Sequence, residues 1–90
     1  MSSEMNNEPI IKKSKYNNNL YTMYNCKIII TNGNQERIVE LPRDENSICF
    51  YDMYYERGLL IVIIATRGEY DLKYELDEDN LKLQKISYTK

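Results

Sequence analysis

The sequence predicts an all-β protein: a small antiparallel meander of about six strands, curled into a barrel or sandwich and preceded by a flexible N-terminal arm. Three observations predict it. Apolar residues recur at every second position in several segments, which is the period of a pleated strand. Asn32-Gly33, Glu56-Arg57-Gly58, Arg67-Gly68 and Asp77-Glu78-Asp79-Asn80 punctuate those segments as tight turns would. No segment carries a clear, capped helical period.

The arm is residues 1–19. Ser2, Ser3, Asn6, Asn7 and Asn17-Asn18-Asn19 offer nothing to pack, and Lys12, Lys13 and Lys15 form a short basic patch. The single domain is residues 20–90. Its first strand places Leu20, Tyr24, Cys26, Ile28 and Ile30 on one parity and Tyr21, Met23, Asn25 and Lys27 on the other. Asn32-Gly33 follows, a pair suited to the two positive-φ positions of a type I′ hairpin turn. The returning strand runs from about Gln35 to Leu41, where Pro42 ends it.

Residues 47–57 are open to two readings. Asp44 or Asn46 could cap a helix that Gly58 closes, but Ile48, Cys49, Phe50, Tyr51, Tyr54 and Tyr55 are strand formers, and strand is favoured. Leu59 to Thr66 is a continuous apolar run, expected to be buried on both faces. Tyr70, Leu72, Tyr74 and Leu76 then alternate with charged residues as a half-buried strand. Leu81 to Tyr88 closes the chain, and its apolar parity slips between Leu83 and Ile86, which predicts a bulge. In length and turn spacing these last four strands resemble one blade of a β-propeller. No second copy of the pattern occurs, so one chain cannot make a whole propeller.

Ninety residues make one domain, and 29% charged with 42% apolar residues is a globular balance. A net charge of −2 speaks against nucleic-acid binding by bulk charge. The N-terminus lacks a signal-peptide pattern and no apolar run approaches about 20 residues, so the expectation is a soluble, intracellular protein with reduced Cys26 and Cys49 packed as small hydrophobes.

Catalytic chemistry is hard to assemble from these residues. The chain has no histidine, which removes the commonest general base and metal ligand. Its three glycines stand apart, so there is no phosphate-binding loop. Asp77-x-Asp79 begins like a calcium loop, but Leu81 stands at the fifth position and the sixth is not glycine. No catalytic residue, metal or cofactor is expected.

What remains is nine tyrosines. Tyr51, Met53 and Tyr55 alternate opposite Phe50, and Tyr21 and Met23 lie opposite the apolar face of their strand. These five are the candidate binding residues, because Tyr and Met are enriched at interfaces. The expectation is a non-enzymatic protein-binding module with a Tyr-rich sheet face, working as a homodimer whose second copy covers the outer side of Leu59–Ala65. Small size and heavy Asn, Ile, Lys and Tyr usage suggest an inhibitor or regulator from a virus or mobile element, acting on a larger host protein. Two rivals are single-stranded nucleic-acid binding by Tyr stacking with Lys contacts, and a structural subunit that pairs through strand edges.

Overall fold

The computed structural model describes residues 9–42, 46–68 and 70–89, with side chains described up to residue 86. Eight antiparallel strands form two four-stranded meander sheets. The first holds β1 (Ile10–Lys13), β2 (Leu20–Met23), β3 (Lys27–Asn32) and β4 (Gln35–Glu40). The second holds β5 (Ser47–Glu56), β6 (Leu59–Thr66), β7 (Asp71–Asp77) and β8 (Lys82–Thr89). The ladders end at β4 and β8 and do not close into a barrel. One core lies between the sheets, built from Tyr21, Met23, Ile28 and Ile30 on one side and Phe50, Met53, Leu60, Val62, Ile64, Leu72, Tyr74 and Leu76 on the other. The fold class is therefore all-β, with eight strands where the sequence suggested about six. Residues 47–56 are strand, and no helix occurs among the described residues.

The two added strands come from one split and one extension. The expected first strand is two strands, because the chain reverses at Asn25-Cys26, where Tyr24 N–H donates to Lys27 O at 2.7 Å. Across that hairpin Tyr21 pairs with Ile30 and Met23 with Ile28. The inner face thus takes odd positions on β2 and even positions on β3, and a single parity read through the turn misplaces Tyr21 and Met23. The extension is β1, which pairs with β2 in the register Ile10 to Met23 and Lys13 to Leu20. Order thus reaches back into the expected arm; its first eight residues lie outside the described ones. Residues 14–19 form a loop held by Ser14, whose hydroxyl accepts from the N–H of Tyr16 and Asn17.

Turns follow local chemistry, with one shift. Asn32 is the last ladder residue of β3, opposite Gln35, and the β3–β4 turn is Gly33-Asn34. Only Gly33 has positive φ, the pattern of a II′ turn with glycine first rather than the expected I′ turn at Asn32-Gly33. The β5–β6 turn is Arg57-Gly58, both at positive φ, one residue shorter than the expected Glu56-Arg57-Gly58 loop because Glu56 stays in the ladder opposite Leu59. The β7–β8 turn is capped by Asp77, whose Oδ1 accepts from the N–H of Asp79 and Asn80 and whose Oδ2 accepts from the Asn80 amide. These three bonds give the carboxylate that resembled the start of a calcium loop a structural role in the turn.

Three bulges re-aim side chains. β5 slips against β6 between Ser47 and Cys49 and again between Phe50 and Asp52. β8 slips at Ile86, where Tyr74 faces Lys85 and Lys73 faces Ser87. This last irregularity is the one the parity slip predicts.

Candidate functional site

The five residues singled out from the sequence do not share a surface. Tyr21, Met23 and Met53 are buried in the core. Met53 turns inward because the bulge at Tyr51 inserts one residue, so Phe50 and Met53 point to the same side although their numbers differ in parity. Tyr51 is 63% exposed and stands alone on the bulge. Tyr55 is half-buried, packed against the core under the 14–19 loop. The Tyr-rich face is corrected accordingly: most of its members are the second side of the core.

Tyr21 and Tyr55 instead meet in a polar cluster at one end of the sandwich. Glu78 Oε1 accepts hydrogen bonds from Ser14 Oγ at 2.6 Å, Tyr21 Oη at 2.8 Å and Tyr55 Oη at 2.9 Å. Asn19, the one buried polar side chain among the described residues, donates to Tyr21 Oη at 3.1 Å and accepts from Asn32 Nδ2 at 2.9 Å. Lys15 N–H donates to Tyr55 Oη, and its ammonium sits 4.9 Å from the Tyr55 ring centroid. Burial raises the pKa of both phenols, and the Glu78 carboxylate adds to the shift. They remain protonated donors at neutral pH, so the cluster ties the elements together through the Glu78 oxygen. Among the described residues no group of three His, Cys, Asp or Glu is placed to hold a metal ion.

The outer side of the second sheet was expected to need a covering chain. Ile61 and Ile63 are nevertheless only 2% and 6% exposed within one molecule. Ile61 lies between Tyr54 and Glu75, and Ile63 between Asp52 and Lys73. The apolar stems of such long side chains cover neighbouring apolar surface, and Lys73 is held across the face by an ion pair with Glu56 at 2.8 Å.

The outer side of the first sheet is different. Register places Ile11, Thr22, Ile29 and Ile38 in one row across all four strands. Ile11 and Ile38, at its two ends, are 59% and 55% exposed. The row on one side is Lys13, Leu20, Thr31 and Glu36; on the other side Lys27 faces Glu40, with Tyr24 beyond. Leu20 and Tyr24 are also exposed, and the Lys27 ammonium lies 5.8 Å from the Tyr24 ring centroid. At the Ile38 end the face opens into a pocket of about 540 Å³, lined by Cys26, Ile38, Leu41, Pro42 and Ser47 among others. Cys26 is exposed there, not packed away as the sequence suggested. Sequence reasoning missed this face because Ile11 fell in the expected arm. The one available signal was the Ile10-Ile11-Lys12-Lys13 stretch, in which Ile10 and Lys12 face one way and Ile11 and Lys13 the other.

No helix among the described residues is long and apolar enough to cross a membrane. Comparison of the chain with protein-family models, with curated proteins and with solved structures returns no match.

Proposed function

We propose that the chain is a non-enzymatic protein-binding module that works through the outer face of its first sheet. The observation that supports this most is the row Ile11–Thr22–Ile29–Ile38. Single exposed apolar residues are ordinary on any surface. A row of three isoleucines and a threonine across a sheet, with exposed isoleucines at both ends and charged residues along its sides, has the composition of an interaction patch. The narrower reading, an inhibitor or regulator of a larger protein from a virus or mobile element, rests on chain size and residue usage.

The rival readings draw less support. Lys12, Lys13, Lys15 and Lys27 belong to the first sheet and its β1–β2 loop, while Lys82 and Lys85 lie on β8 of the second. Glu36 and Glu40 share the outer face with Lys13 and Lys27, which weakens a phosphate-binding track. Edge pairing into an assembly meets charged Glu36, Arg37 and Glu40 on β4 and a bulge on β8, both features that discourage strand addition.

The test is Ile11→Glu combined with Ile38→Glu. Both positions are exposed, so the variant should melt as the parent does. It should lose association with its protein partner, measured by cross-linking and pull-down from a native lysate. A folded variant that retains every association of the parent overturns the reading.

A further inference from the structure

We infer that the occupant of the first sheet's outer face is a second copy of this chain, related by a two-fold axis that runs along the strands between β2 and β3. This rests on the reading of that face as a protein-binding surface and names the partner. Two closed face-to-face arrangements of one sheet on its copy follow the strand directions, and they differ in what they bring together.

An axis along the strands lays β1 over the copy's β4 and β2 over its β3, keeping each row against itself. Ile11 then meets Ile38 of the copy, and Thr22 meets Ile29, so the exposed ends of the row cover one another twice. In the neighbouring row Lys13 meets Glu36, and by symmetry Glu36 meets Lys13. Tyr24 meets Lys27, the ring and ammonium that already associate within one chain. An axis across the strands exchanges the outer rows instead. It lays Glu36 against Glu40 and leaves Lys13 without an acidic counterpart. Like charges face to face are unfavourable and opposite ones favourable, so the charge pattern selects the first arrangement.

Within one chain Lys13 and Glu36 stand at opposite ends of a four-strand row. Three strand spacings are about 14 Å, too far for an ion pair. Their complementarity is therefore satisfied only between copies. The patch is three rows by four strands, roughly 20 Å on a side. That is about half of the roughly 800 Å² per partner of a standard interface. The dimer is accordingly weak and concentration-dependent.

Sedimentation equilibrium of the full chain over about 10 µM to 1 mM tests this, with circular dichroism to confirm folding. The parent should rise from monomer to dimer mass. Lys13→Glu alone and Glu36→Lys alone, both at exposed positions, each put like charges together at both ends of the row. Each should weaken self-association about tenfold. An equimolar mixture of the two single variants brings opposite charges together at both ends and should associate as the parent does. A parent that stays monomeric at the highest concentration overturns the inference. So does a mixture no more associated than its components, or a dimer indifferent to both changes, which would use another surface. If the parent is monomeric while the Ile11→Glu, Ile38→Glu variant still loses a different captured protein, the second copy is excluded and the wider reading of the face survives.

Discussion

The Tyr21 hydroxyl, 57 positions from Glu78 in sequence, donates to the Glu78 carboxylate at 2.8 Å, on the same oxygen that takes Ser14 and Tyr55. One acceptor thus joins the β1–β2 loop, β2, β5 and the β7–β8 turn. Removing the Tyr21 hydroxyl while keeping its ring leaves the buried Asn19 amide short of an acceptor. Tyr21→Phe should cost about 1–2 kcal/mol, a fall in melting temperature of about 4–8 °C per kcal/mol for a domain of this size. Glu78→Ala strands three hydroxyls at once and should cost more, about 2–3 kcal/mol. Thermal melts of both variants check this, and a Glu78→Ala chain as stable as its parent would mean that water replaces the carboxylate without loss.

The same cluster sets the alkaline limit of stability. Burial, first, raises the Tyr21 phenol above the ordinary tyrosine value of about 10; the Asn19 bond opposes this and Glu78 reinforces it. Burial likewise raises Tyr55, opposed by the Lys15 N–H. Each phenol holds its proton more tightly folded than unfolded. Its contribution is complete below about pH 10 and is lost as pH rises from there through the folded value. Urea midpoints should be level up to pH 10 and fall beyond it. In the Tyr21→Phe, Tyr55→Phe double variant the alkaline decline should be shallower. Equal slopes in parent and variant would place the alkaline limit elsewhere.

Thiol chemistry separates the two cysteines. Cys26 is exposed at the β2–β3 turn and Cys49 is half-buried on β5. A disulfide reagent should label one thiol per native chain quickly and the second slowly, and Cys26→Ser should abolish the fast phase without changing the melt. Slow labelling of both would mean that the turn is covered in solution.

The β5–β6 turn carries a measurable local conflict. Arg57 has φ of 55°, a left-handed conformation that costs a residue with a Cβ roughly 1 kcal/mol. Arg57→Asn supplies the Asn-Gly pair favoured in I′ turns and should stabilise by about 0.5–1 kcal/mol. At Gly58, with φ of 81°, an added Cβ would stand 2.9 Å from the Tyr16 hydroxyl, which donates to Gly58 O at 2.8 Å. Gly58→Ala should therefore destabilise by about 1–2 kcal/mol, and adding Tyr16→Phe should recover only the steric part. Chemical denaturation of the parent and these two single variants gives the order Arg57→Asn, parent, Gly58→Ala.

How far the sequence was legible depends on whether a residue's neighbours were local. The strand class, a reversal ending at Gly58, the Asp77–Asn80 turn and the β8 bulge depend on a few adjacent residues and could be read directly. The turn at Asn25-Cys26 has neither Gly nor Pro, so nothing local broke the alternation there, and Tyr21 and Met23 were assigned to the wrong face. Ile11 is apolar for a reason visible only across three strands, through Thr22 and Ile29 to Ile38. The burial of Ile61 and Ile63 was expected, but what flanks them, side chains of β5 and β7 in register, could not be read before the pairing was known.

Tyr51 and Met53 are the sharpest case, and one experiment separates the two ways of placing them. Simple alternation puts both on one side of β5 with Tyr55. The bulge between Phe50 and Asp52 inserts Tyr51 as an extra residue, leaving it 63% exposed while Met53 faces Val62 in the core at 1% exposure. A large-to-small change at a buried position removes transfer energy and leaves a cavity, so Met53→Ala should cost about 2–5 kcal/mol. An exposed side chain away from such features changes stability by only about ±0.5 kcal/mol, which is the expectation for Tyr51→Ala. Urea unfolding of the two single variants reads the difference directly as a shift in midpoint at unchanged slope. Similar losses at both positions would mean that β5 runs without its bulge and that Tyr51 and Met53 share a face.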